Sequence, residues 1–157
     1  MSIFLKYKSK LIFFLTFIIV ILTIIAIIFE GGVPINKPSI KITYNNEKVS
    51  TINGEFNWFN KGAGGNSTFA EPIENLKEPL YAKGGEKIKI RFSKEPKSIV
   101  IQDISVSPYK DYKFLKEESN KEFSFMLPEE KGEYNFQVDG IWDSTHNVSK
   151  IFKVYID

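Results

Sequence analysis

Catalysis needs a base or nucleophile poised by its neighbours, and this chain offers few such groups. It has one histidine, His146, and no cysteine. Ser144 lies just before His146, with Asp139 and Asp143 upstream, so the parts of a Ser-His-Asp arrangement crowd into one turn. A triad works by geometry, and members packed into a tight turn rarely meet productively. The expectation is a solvated turn histidine. Asp139, Asp143, His146 and Asn147 also offer donors of the kind calcium takes from loops. The ligand spacing of an EF-hand is missing, and a single histidine disfavours zinc. No catalytic residue, metal or cofactor is therefore expected, and the chain reads as a non-enzyme.

Lys61-Gly62-Ala63-Gly64-Gly65-Asn66-Ser67-Thr68 resembles a phosphate loop only superficially, because its lysine precedes the glycines instead of following them. It reads as a flexible loop. Aromatic side chains are the better candidates for contact with a ligand or partner. Trp58 and Phe59 are adjacent, so in a strand they point to opposite faces; with Trp58 in the core, Phe59 faces outward. Tyr109 and Tyr112 flank Lys110-Asp111 in an expected loop, where an exposed pair can stack on a sugar or anchor a protein. Phe59, Tyr109 and Tyr112 are the candidate contact residues.

The elements that position them fall into two unlike parts. The 157 residues are 43% hydrophobic, 25% charged and 15% aromatic, which excludes collagen, simple disorder and a disulfide-stapled mini-protein. Leu11 to Phe29 runs without a charge, Gly, Pro or Asn. As a helix it covers about 28 Å, close to the thickness of a bilayer's hydrocarbon core. Lys6, Lys8 and Lys10 precede it and Glu30 follows, which directs residues 1–10 to the cytoplasm and the rest outside. Bulky residues at Ile27-Ile28-Phe29 argue for an uncleaved signal anchor over 11–29, with cleavage near Gly31-Gly32 as the alternative. The expected location is the cell membrane, with the lipid bilayer as partner of Leu11–Phe29.

Residues 30–38, with Pro34 and Pro38, read as a stalk. Setting aside Lys6, Lys8, Lys10 and Glu30 leaves 18 of the 21 basic and 18 of the 19 acidic residues, so the outer part is neutral. A nucleic-acid partner, which needs a basic face, is not expected.

From residue 39 the hydrophobic period becomes two. Ile40, Ile42 and Tyr44 alternate with polar residues, as do Ile88, Ile90 and Phe92, then Phe123 and Phe125, then Tyr134, Phe136 and Val138, then Phe152, Val154 and Ile156. Ile99 to Val106 reads as a central strand, and Gly140 as a bulge or a close backbone approach. Only Glu71 to Leu80 has room for a helical turn, bracketed by Pro72 and Pro79. The pattern predicts an all-β, antiparallel immunoglobulin-like sandwich over 39–157, preceded by one transmembrane helix. Tyr134, following Gly132 at the start of the penultimate strand, is placed as a tyrosine corner whose hydroxyl bonds back to upstream backbone.

The ordered series Gly54-Glu55-Phe56-Asn57-Trp58, Gly84 to Phe92, Pro96, Gly132-Glu133-Tyr134 and Gly140-Ile141-Trp142-Asp143 resembles small membrane- or lipid-anchored proteins of Bacillus-type bacteria with an immunoglobulin-like outer domain. The resemblance covers residues 38 to 157 and implies a fold and a location, not an activity. Many members of that group carry a cysteine beside the aromatic of the first motif and a second in the following loop; Asn57 stands beside Trp58 here, so no disulfide carries over. The expected function is a non-enzymatic binding or interaction module at the outer membrane face, contacting another membrane or cell-surface protein. The alternative is an accessory subunit of a membrane complex, joined through the helix.

Overall fold

The computed structural model describes residues 2–30, 33–34, 36–60, 63–67 and 69–157. The chain divides into two units, Met1–Asn36 and Lys37–Asp157.

In the first unit, helix α1 covers Ser2–Ile28, and the short strands β1 (Phe29–Glu30) and β2 (Val33–Pro34) pair antiparallel. The helix thus begins within the segment expected to be a separate cytoplasmic tail. Side chains are described over residues 10–25, and every one is exposed. Thr16 and Thr23 turn their hydroxyls back onto the carbonyls of Ile12 and Ile19, at 2.8 and 2.7 Å, so the two polar side chains are satisfied by the helix itself. Among the described residues no helix is long and apolar enough to cross a membrane. The span expected over Leu11–Phe29 is therefore not met among the described residues. The alternative cleavage point at Gly31-Gly32, and part of the stalk, lie outside the described residues.

The second unit is built of strands β3 (Ile40–Tyr44), β4 (Glu47–Lys48), β5 (Ile52–Asn60), β6 (Ala63–Ser67), β7 (Leu80–Ala82), β8 (Lys87–Phe92), β9 (Ser98–Asp103), β10 (Lys110–Asp111), β11 (Phe114–Lys116), β12 (Glu122–Met126), β13 (Gly132–Asp143) and β14 (His146–Ile156). One 3₁₀ turn, Ile73–Asn75, occupies the segment expected to hold a helical turn. Among the described residues these strands form two sheets. One has five strands in the order β11-β12-β8-β3-β4. The other has seven, in the order β10-β9-β13-β14-β5-β6, with β7 lying parallel beside the end of β14. All other pairings in these two sheets are antiparallel. The architecture is mostly β and fits a two-sheet sandwich.

Alternation explains why the sheets face each other. In β8 every second residue, Ile88, Ile90 and Phe92, is buried, while Lys87, Lys89 and Arg91 face solvent. Phe125 of β12 meets Phe136 and Phe152 of the other sheet, with ring centroids 5.1 and 6.5 Å apart. Burying each such side chain contributes about 1.5–3 kcal/mol. Gly140 marks a close approach: a Cβ there would lie 2.4 Å from Cε1 of Phe92. The bulge itself falls further along, between Ile141 and Asp143.

Two expectations are corrected. The run expected to extend to Val106 ends as a strand at Asp103, whose carboxylate accepts the Ser105 N–H at 2.9 Å and turns the chain away. The expected flexible loop contains β6, paired residue by residue with β5 from Phe56↔Ser67 to Asn60↔Ala63; Lys61, Gly62 and Thr68 lie outside the described residues. The Tyr134 hydroxyl does donate to the Glu130 carbonyl, at 3.0 Å, as its position before the β13 core predicts.

Candidate functional site

The β13–β14 hairpin gathers the residues with most chemical potential. Asp143 closes the turn by accepting the Thr145 N–H at 2.8 Å. The next residue, His146, is only 8% exposed, so the solvated turn histidine expected from sequence is instead buried. The reason is the two-residue turn, which returns the chain into β14 at once and pairs His146 with Trp58 of β5. Trp58 meets the imidazole edge-on at 4.9 Å and Trp142 edge-on at 5.1 Å.

Both imidazole nitrogens of His146 meet acceptors. Nδ1 lies 2.9 Å from both carboxylate oxygens of Asp143, and Nε2 lies 2.6 Å from the Phe59 carbonyl. A neutral ring carries one N–H, and the tautomer decides which of the two acceptors it serves. The Asp143 carboxyl sits below its ordinary value: burial pulls it up, but the Thr145 N–H, the His146 ring and the Thr145 hydroxyl together outweigh that pull. Nε2 faces a main-chain carbonyl, so it is not turned toward the Ser144 hydroxyl. The arrangement holds two strand ends together. Asp139 lies apart, bonded to Ser149 and Gln137, and burial pushes its carboxyl up. Among the described residues no three His, Cys, Asp or Glu side chains gather as a metal site.

The three candidate contact residues do not form one surface. Phe59 is 44% exposed at the end of β5, and Tyr109 is 60% exposed after β9. Tyr112 is half-buried, its ring edge-on to Phe136 at 5.2 Å and to Phe125 at 6.0 Å. Its hydroxyl has no hydrogen-bond partner, and burial, with Asp103 and Glu130 nearby, pushes it up. Of the two, Tyr109 is exposed and Tyr112 is partly buried.

A different aromatic pair, one ring exposed and one half-buried, lies on the seven-stranded sheet. Tyr81 of β7, 71% exposed, stacks on Tyr155 of β14 with ring centroids 5.4 Å apart and planes inclined by 25°. Beside them Lys153 pairs with Glu133 at 2.7 Å and sits 5.9 Å from the Tyr155 ring. This flat platform, flanked by a cation and a carboxylate, can stack on a sugar or an aliphatic ring. The alternation of β14 already turned Tyr155 outward, but nothing local to Leu80–Ala82 signalled that Tyr81 would lie parallel beside it.

The outer face of the five-stranded sheet carries a shallow depression of 380 Å³ lined by Lys41, Lys89, Arg91, Glu117, Glu118 and Glu122. Arg91 pairs with Glu122 at 3.3 Å, and Glu117 accepts the Ser124 hydroxyl at 2.5 Å and lies 3.5 Å from Lys87. Exposed pairs of this kind contribute about 0–1 kcal/mol each. The balanced charges make the face polar without giving it one sign. In comparisons with known proteins, no family model, no curated protein and no solved structure matches this chain.

Proposed function

We propose that this chain is a membrane-tethered, extracytoplasmic binding module. It consists of an immunoglobulin-like sandwich held at the outer face of the cell membrane by α1. It contacts a cell-surface ligand or protein through exposed aromatic side chains and does not catalyse a reaction.

The observation that carries the tether is the surface of α1. From Leu11 to Ile25 every described side chain is exposed, and all but Thr16 and Thr23 are apolar. Apolar surface of that extent calls for a cover. A bilayer covers a helix on every side, and a helix whose threonines bond their own backbone brings no unsatisfied polar group into it. Lys6, Lys8 and Lys10 before the apolar run orient it with the sandwich outside. The Tyr134 bond at the start of β13 and the resemblance over residues 38 to 157 support the immunoglobulin-like reading. The Tyr81–Tyr155 stack and Tyr109 support a contact role.

The test is protease treatment of intact protoplasts carrying a C-terminal tag. The expected result is loss of the tag from a full-length chain that sediments with membranes. A tag that stays protected puts the sandwich inside the cell and overturns the proposal.

A further inference from the structure

Lys150, Asn53 and Glu71 lie together where β14 meets β5. Lys150 and Asn53 are direct partners in the β14–β5 ladder, immediately after a register shift that re-aims the β14 side chains. Lys150 Nζ lies 2.6 Å from Asn53 Oδ1. The Asn53 Cγ is one carbonyl bond further, so the amine is at most about 3.8 Å from it, close to the separation of reacting atoms in a near-attack arrangement. On the other side of the amide, Asn53 Nδ2 donates to Glu71 Oε1 at 2.5 Å. Glu71 is held there by its own backbone, whose N–H donates to the Asn53 carbonyl at 2.9 Å. An amine, a carboxamide and a carboxylate are thus lined up in that order, each fixed by backbone pairing.

We propose that this trio forms an intramolecular isopeptide bond between Lys150 and Asn53, with Glu71 as the proton-transfer group. The neutral Lys150 amine attacks Asn53 Cγ, forming the C–N bond as the carbonyl electron pair moves onto Oδ1. The attacking nitrogen passes a proton to Glu71 through solvent at this exposed edge. The Oδ1 pair then re-forms the carbonyl, the Cγ–Nδ2 bond breaks, and Glu71 returns its proton to Nδ2, which leaves as ammonia. No oxidant or co-reactant is needed, and only ammonia is lost.

The step requires a neutral amine. Burial of Lys150 favours that form; Lys37 and Lys48 favour it further, while Glu71 opposes them. The product would tie the last strand covalently to β5 and close the chain between residues 53 and 150 into a loop, limiting the freedom of the unfolded state as a disulfide does. With no cysteine in the chain, a disulfide does not serve that end. The chemistry stands whether or not the tether reading does.

The experiment is mass spectrometry of the purified full chain in detergent, intact and after proteolysis. The expected result is a mass short by one ammonia and a branched peptide joining the segments around Asn53 and Lys150. Asn53 precedes Gly54, so a succinimide would give the same mass loss without a branch. Lys150→Arg separates the two, since it blocks the isopeptide and leaves succinimide formation open. Glu71→Ala is expected to run at full mass, unbranched, with both bonding partners intact. A wild-type chain of full mass, or an ammonia loss that persists in Lys150→Arg, overturns the proposal.

Discussion

At the scale of single residues, His146 does most to hold the hairpin end of the seven-stranded sheet together. Its ring joins the Asp143 carboxylate in the turn to the Phe59 carbonyl on β5, and Trp58 packs against it. Removing it takes the ring from the Phe59 carbonyl and leaves a gap beside Trp58. We expect His146→Ala to cost about 2 kcal/mol, read as a lower midpoint in urea unfolding. Asp139 behaves differently. Burial raises its carboxyl above the ordinary 3.8, against the opposing bonds from Ser149 and Gln137. The folded state then holds that proton more tightly than the unfolded chain. Ionised Asp139 therefore costs stability at neutral pH, and the cost disappears as pH falls through the raised value toward 3.8. The wild type should gain stability relative to Asp139→Asn as pH is lowered across that interval, measured by urea titration at several pH values. A difference that does not change with pH removes the argument. Neither role was readable from residue spacing. His146 and Asp143 were visible as neighbours, but the Phe59 carbonyl lies in a distant strand.

At the scale of elements, alternation marked the large apolar core positions, cleanly in β8 with one buried and one wet face, less so in β12 and β14, where Ser124 and Ser149 are buried too. β8 and β12 supply large apolar side chains to one sheet, and β13 and β14 to the other, each in the positions their period marks. The Tyr134 bond fastens the entry to β13 to the turn before it. Tyr134→Phe removes one hydrogen bond while keeping the ring, and should lower stability by about 1 kcal/mol in the same unfolding assay. Gly140→Ala should cost more, about 1–3 kcal/mol, because the added methyl meets Phe92 within the packed core. Elements without alternation were harder to read. β6 is rich in Gly and has almost no apolar side chain, so only its pairing with β5 makes it a strand. β7 is three residues long and depends on β14 in the same way.

At the scale of the whole molecule, the chain joins an apolar helix to a sandwich with a core of its own, and the two units have different physical requirements. If a bilayer covers α1, a charge at its centre is costly: Ile19→Lys is expected to weaken insertion by about 2.5–3.5 kcal/mol and shift the chain from the membrane pellet to the soluble fraction. Complete retention of that variant would mean that something other than the helix holds the chain. The sequence alone determined the two-part division, the helix, the all-β class and the burial of most core residues, because these depend on periods of hydrophobicity written locally along the chain. Tertiary structure alone decided which strands became neighbours. That choice buried His146, set Tyr112 half-buried against Phe136 and Phe125, stacked Tyr81 on Tyr155 and brought Lys150, Asn53 and Glu71 into line. These contacts join residues far apart in sequence, and strand order, which no local pattern records, determines whether they meet.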